Sequence, residues 1–354
     1  MKKGSLLMCL SLFSVMAFSQ TSVVQFLKGG KADANTLFKA YLQPYAFALG
    51  DGLNNGWYST ADTHNLFGFD VTIGLSGIQV PNDSKTFDIN KLGLTNMAVK
   101  SGSSIAPTVA GSKAKGPMIT VYDDKKNPIV EFNSPQGTGQ DLVPVPMVQV
   151  GFGLLPYTDL IGRFVPEMKY NNNGDEMKIG FWGVGVKHDF MKWIPVLSKL
   201  PFDASVFGSY SEVNGQSALS FTSADYSSTP GVTVTPVNTG DQFLKLKTTT
   251  SKYGLVVSKK FTILTVFGAI GQSMSTSNVD LIGTYPMIAS AKVGGGLEVS
   301  QEGALVNPVA LTFKTSNISM EAGVRVKFTI LSLFASINKS QYTSYNAGVS
   351  LGFR

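Results

Sequence analysis

The chain closes on YNAGVSLGFR, in which every second residue is apolar: Tyr345, Ala347, Val349, Leu351 and Phe353. The intervening positions, Asn346, Gly348, Ser350, Gly352 and Arg354, are small or polar. Successive side chains of a strand point to opposite faces, so a period of two predicts a β-strand between two different environments. The pattern recurs along the chain. FGFDVTIGLS sets Phe67, Phe69, Val71, Ile73 and Leu75 against Gly68, Asp70, Thr72, Gly74 and Ser76. MVQVGFGL opposes Val148, Val150, Phe152 and Leu154 to Met147, Gln149, Gly151 and Gly153, and EAGVRVKF repeats the alternation. Several runs approach the roughly 9–11 residues with which a strand crosses a bilayer.

The polar face narrows the fold class. A soluble sandwich turns many charges to water, whereas here that face carries mostly Gly, Ser, Thr and Asn. Only 15% of the residues are charged, 43% are hydrophobic and 37 are Gly; a soluble domain is typically about 25% charged. Beyond residue 19 no run approaches the roughly 18 apolar residues of a spanning helix. The prediction is an all-β, antiparallel transmembrane β-barrel with apolar side chains toward lipid and a polar lumen. A secreted sandwich is the alternative, and it would leave the apolar face of an edge strand to be covered.

The N-terminus agrees with export. Lys2 and Lys3 precede an apolar run from Leu6 to Phe18, and Ala17-Phe18-Ser19 forms a small-x-small site before Gln20. Residues 1–19 thus have the layout of a secretory signal peptide. Cys9, the one cysteine, leaves with it, which excludes disulfides, thiolate catalysis and Cys-ligated zinc from the mature chain. The 29 Lys and Arg less Lys2 and Lys3, against 23 Asp and Glu, leave a scattered charge of +4. Nucleic acid is not an expected partner of so mild a balance. The expected location is the outer membrane of a Gram-negative bacterium.

A bacterial barrel has an even number of strands, short periplasmic turns and longer outer loops. About twelve strands are counted, or fourteen if the 118–132 hairpin joins the wall. FTILTVFGAI (261–270) and FTILSLFASI (328–337) match and read as tight hairpins. Those turns, 156–159 and 191–201 fall on the periplasmic side, while 170–176 and two long loops, 79–144 and 214–241, fall outside. One short connection near 301–307 breaks the rule. The barrel is expected over 66–354, preceded by a helical plug or periplasmic segment over 20–65. There Leu37/Phe38, Tyr41/Leu42 and Tyr45/Ala46 recur at helical spacing, with Asp33 or Asn35 as N-cap, Pro44 inside and Gly50 as C-cap. A plug in the lumen is the expectation; a helix at the membrane interface is the alternative.

GLNNGWYSTADTHNLFGFDVTI (52–73) and VGVKHDFMKWIPVLSKLPFDASVFGSY (184–210) resemble an uncharacterised family of Bacteroidota outer-membrane proteins. More distantly, the layout is similar to the long-chain fatty-acid transporter family of outer-membrane barrels, with its N-terminal plug. Those barrels have more strands than the twelve counted here, and no binding residue transfers from them. Outer-membrane barrels also resemble one another in ending on an amphipathic strand with an aromatic at or near the terminus, recognised by the barrel-assembly machinery; here Arg354 follows Phe353. That resemblance assigns this signal to Tyr345, Val349, Leu351 and Phe353.

Chemistry is sparse. His64 and His188 are the only histidines, no serine stands in a GxSxG elbow, and NNNGDE lacks calcium-loop spacing. No enzyme activity, metal or cofactor is expected. Charges on the lumen-facing phase are the candidates for function: Asp70, Arg163, Glu167, Lys187, Arg325 and Lys327. A charge at membrane depth is costly unless it faces a cavity or a partner; a salt-bridged filling of the lumen is the alternative. Trp57, Tyr58, Trp182, Trp193, Tyr342 and Tyr345 are expected in interfacial girdles. The function these features predict is passive transport of small or hydrophobic solutes across the outer membrane, with outer-membrane lipid as surroundings. The alternative is a closed structural or surface-interaction barrel whose outer loops bind a partner.

Overall fold

A computed structural model describes residues 24–353, apart from 124, 173–174, 220, 222–231, 235–239, 287, 294–296 and 301–303. Residues 1–19, read as a signal peptide, and Arg354 lie outside the described residues.

Ten strands form one closed antiparallel wall. In chain order they are β1 (Phe69–Gln79), β2 (Leu142–Leu155), β3 (Thr158–Asn172), β4 (Asp175–Asp189) and β5 (Asp203–Leu219), then β6 (Gln242–Phe261), β7 (Leu264–Ile282), β8 (Val309–Phe328), β9 (Leu331–Lys339) and β10 (Thr343–Phe353). Each pairs with its neighbours in sequence, and β1 pairs with β10 from Phe69↔Phe353 to Gln79↔Thr343, which closes the ring. Closure removes the exposed edges an open sheet would present.

The count is ten, not twelve or fourteen. The strands Met118–Tyr122 and Pro128–Asn133 pair with each other and with Met97–Val99, outside the wall. Alternation shows a strand but not what covers its apolar face: Ile119, Val121, Val130 and Phe132 are buried against protein, not turned to lipid. Thr284–Pro286 pairs with Ala304–Val306 in the connection between β7 and β8. The short connection expected near 301–307 is therefore part of one long loop, and the broken parity came from counting loop strands as wall.

One end of the barrel carries three two-residue turns, while the short 340–342 turn lies at the other end with the long connections. Thr262-Ile263 and Thr329-Ile330 join β6 to β7 and β8 to β9, with Thr262 and Thr329 at φ 50° and 51°. Such two-residue turns suit the twist of paired strands, at a steric cost for a β-branched residue. Pro156-Tyr157 makes a third turn, and 190–202 a longer link. The opposite end carries the connections 80–141, 220–241 and 283–308. These are called the turn end and the loop end.

Outward residues build a lipid-compatible belt. Ile73, Val150, Phe164, Val184, Leu255, Ile270, Ile318 and Val349 are all exposed. Trp182, Tyr210, Tyr253 and Tyr345 edge the belt toward the loop end, and Phe69, Phe353, Phe261 and Phe328 edge it toward the turn end. An apolar band between aromatic girdles is the arrangement a bilayer-facing barrel wall requires.

Helix α1 (Gly30–Asn54) lies inside the wall, touching β1, β2 and β5 to β8. It is longer than the cap residues suggested. Asp33 instead accepts the Thr95 and Asn96 N–H groups, and Asn35 donates to the Pro308 carbonyl and accepts from Ala310 N–H at the loop end of β8. Pro44 withdraws the donor that Ala40 O would have had, and the neighbouring Tyr41 carbonyl accepts from Val109 N–H. Gly50 and Gly52 are interior, where the helix passes closest to the wall: a Cβ at Gly50 would lie 2.6 Å from Ser275 Cβ, and one at Gly52 2.5 Å from Val145 Cγ2.

Candidate functional site in the barrel lumen

The helix enters at the loop end, and the chain beyond it, residues 55–64, runs in non-helical form to the turn end, where β1 begins. Such a segment has no backbone partners of its own, and buried carbonyls and N–H groups must find them elsewhere. The wall supplies them. Ser205 Oγ donates to Ala61 O at 2.5 Å, Ser258 Oγ accepts from Ala61 N at 2.9 Å, and Lys187 Nζ donates to Thr60 O and Asp62 O at 3.2 and 2.8 Å.

Arg163 sits at the junction of helix and segment. Its guanidinium donates to Leu53 O at 3.1 Å, Asn55 O at 2.8 Å and Gln149 Oε1 at 3.0 Å. Two of these acceptors are carbonyls at the helix C-terminus, where the partial negative charge of the macrodipole favours a cation. Its Cζ lies 3.8 Å from the Trp57 ring centroid. Trp57 in turn needs a flat bed: a Cβ on Gly183 or Gly185 would stand 3.1 and 3.0 Å from the indole.

Below this, Asp159 receives Lys187 Nζ at 3.2 Å and His64 N–H at 2.8 Å. The His64 ring lies between two carboxylates, Nε2 at 3.1 Å from Asp70 and Nδ1 at 3.1 Å from Asp159, the latter without hydrogen-bond alignment. Asp70 also accepts from Thr72 and Ser350 hydroxyls, each at 2.7 Å. Across the lumen Lys252 pairs with Glu321 at 3.3 Å, with the Tyr58 ring 5.2 Å from its Nζ. Asn54 donates to Ser273 Oγ, and Asn338 to Asn55 Oδ1. At the loop rim Asp51 accepts from Tyr342 N–H at 2.7 Å in the turn between β9 and β10. Burial pushes its carboxyl up to about 6, against the lowering effect of that N–H.

Of the lumen candidates, Asp70, Arg163, Lys187 and Arg325 face this network, Arg325 through Ser332 Oγ at 2.9 Å. Lys327 shares the Arg325 phase and is half-buried at the turn end. Glu167 does not face the lumen. A bulge between Val165 and Met168 shifts the phase of β3, so Glu167 is exposed on the outer wall, beside Gly180. Among the expected girdle residues, Trp57, Tyr58 and Tyr342 are buried inside, whereas Trp182, Trp193 and Tyr345 are exposed. Tyr345, Val349, Leu351 and Phe353 all lie on the outward face of β10, with Phe353 against Phe69.

Sequence reasoning missed Asp159, Lys252 and Glu321, which lie on the inward phase of their strands as Arg163 does. A uniform search for charges on that phase would have found them. The cavity left among these groups is about 40 Å³, bordered by Trp57, His64, Gln149 and Lys187. That is room for a few waters.

Among solved structures, the chain is 8% identical to Ail, the attachment invasion locus protein of Yersinia pestis, covering 82% of this chain and 100% of that one at TM-score 0.25. It is 12% identical to the translocator domain of autotransporter NalP from Neisseria meningitidis, covering 82% and 90% at TM-score 0.29. The Pseudomonas putida toluene transporter TodX is 10% identical, covering 81% and 67% at TM-score 0.22. Superpositions this loose carry neither fold nor function across. No curated protein matches. A model for a family of unknown function, DUF6588, matches residues 1–353, and the chain belongs to that family.

Proposed function

We propose that the protein is an outer-membrane β-barrel with a closed lumen that holds a folded cap at the cell surface, where its loops bind a partner. The observation that carries this reading is the occupied lumen: helix and segment lie inside the wall, and the cavity bordered by the charged groups among the described residues is about 40 Å³. The cap is built at one end. The 80–141 connection folds into small sheets, and Val232–Val234 pairs with Ile288–Val293 from two different loops. The tight turns at the opposite end support a periplasmic placement for that end. In this reading Tyr345, Val349, Leu351 and Phe353 present the last strand to the barrel-assembly machinery.

Passive transport of small or hydrophobic solutes is the second reading. The charges around residues 55–64 favour it, because they would line a polar route if the segment moved. Conductance across a planar bilayer separates the two. The closed barrel gives no steps from the intact chain, and gives steps only from a chain lacking residues 24–65 that still refolds, because those residues fill the lumen. Steps from the intact chain would overturn the closed reading and favour transport. Orientation has its own test: in a Cys9→Ser background, Lys31→Cys should react with an impermeant maleimide on whole cells and Lys199→Cys should not.

A further inference from the structure

Strands β5 to β8 stand taller than β9, β10 and β1, with 17 to 20 residues against 9 to 11. Their outward face therefore continues past the belt. One outward rung, Val206–Leu255–Ile270–Met320, is wholly apolar. The next, Gly208–Tyr253–Gln272–Ile318, carries the girdle. Above it, Tyr210–Ser251–Met274–Ser316 forms the floor of a groove of about 330 Å³. Thr249, Thr276 and Lys314 in the following rung border it too, as do Thr250, Ser275 and Thr315 of the inward phase between the rungs, and no residue of the lumen segment does. The groove is on the outside of the barrel.

Its height decides what can occupy it. Tails of the surrounding lipid must lie against Leu255, Ile270 and Met320, so the rungs just above meet whatever is attached to those tails. Two rungs rise about 7 Å along a strand, more than a single phosphate covers and suited to a sugar unit. Hydroxyls of Ser251, Thr249, Thr276 and Ser316 can donate to or accept from sugar and phosphate oxygens. Glu212 is occupied by Lys247 at 3.1 Å, which leaves Lys314, exposed at the groove, as the cation for a phosphate. We propose that this groove seats the phosphorylated sugar headgroup of an outer-leaflet glycolipid, whose acyl chains lie on the belt below. The proposal rests on the outer-membrane reading.

The test uses the full chain refolded into phosphatidylcholine vesicles, with flotation measured first. A chain that does not float overturns the barrel reading, and this proposal with it. For a chain that floats, a phosphorylated, acylated disaccharide is added, and retained lipid is counted by native mass spectrometry. The expected result is preferential retention over phosphatidylcholine, reduced about fivefold by Lys314→Gln, as for one basic side chain at a membrane surface. Thr249→Val/Thr276→Val should also lower retention without changing charge, and Lys113→Gln in the cap should leave it unaltered. Equal retention of both lipids, or retention unchanged in both groove variants, overturns the proposal while the barrel stands.

Discussion

The two halves of the lumen hold one continuous stretch of chain by opposite means. Toward the loop end, Leu37, Phe38, Tyr41, Leu49 and Leu53 of α1 pack against inward residues such as Ile78, Val145, Phe181, Val279 and Leu311. Toward the turn end the wall offers Arg163, Lys187, Asp159, Lys252 and Glu321. The difference follows from backbone chemistry. A helix satisfies its own N–H and C=O groups, so an apolar wall can pack against it; α1 turns Leu37, Phe38, Tyr41, Ala48 and Leu49 to that wall and leaves Lys39 and Gln43 exposed on another face. The 55–64 segment satisfies almost none, and the wall beside it must be polar.

Breaking single members of the polar half should have the largest effect. Arg163→Leu leaves the Leu53 and Asn55 carbonyls and Gln149 without their donor, and should lower stability by about 3–5 kcal/mol in urea titrations of the vesicle-folded protein. Lys252→Met or Glu321→Leu alone should cost a similar amount, roughly 3–5 kcal/mol, while the double variant recovers most of it. A double variant as unstable as the sum of its singles would show that the pair is not what stabilises this side.

Asp51, a buried carboxyl at the loop rim, should give a pH effect of intermediate size. Burial raises its folded pKa to about 6, above the roughly 4 of a solvated aspartate. The folded state thus holds the proton more tightly, and stability is greatest below about pH 4 and falls as pH rises through 6. The change is on the order of 3 kcal/mol, from about two pKa units. Asp51→Asn should flatten this slope between pH 4 and 7; an unchanged slope would assign it to another group.

In the apolar half, Gly52→Val should cost about 1–3 kcal/mol by overpacking against Val145 and Ile78. If that loss equals the Arg163→Leu loss, the contrast between the halves is weaker than the geometry implies. The smallest effect belongs to the cap surface. Lys100→Ala breaks the exposed pair with Glu131 and should change stability by less than about 1 kcal/mol.

The wall was legible because alternation is local: β1, β2, β8 and β10 follow directly from their own residues. The strand number was not: short strands of the 283–308 connection were counted as wall, and the 118–132 hairpin, which would have made fourteen, alternates as a spanning hairpin does while packing against the N-terminal region, as the Phe26–Phe132 ring contact shows. Arg163, Lys187 and Asp70 were legible from phase. Glu167 was misplaced because a bulge changes phase without any sequence mark. The pairing of Asp159 with Lys187 and His64 depends on which strands become neighbours, a non-local fact. Trp57 and Tyr58 were read as girdle because aromatic residues look alike whether they face lipid or a bed of glycine.

The stretch that fills the lumen runs into the wall through residues 65–68, where Leu66 and Phe67 are exposed at the turn end. That link is a tether. It holds the filling at an effective concentration on the order of millimolar beside its own binding surface, as a short linker does. One cut there would leave every contact of Arg163 and Lys187 in place and yet change their meaning, because occupancy would then depend on dilution. Barrel and filling are a receptor and its ligand encoded in a single chain.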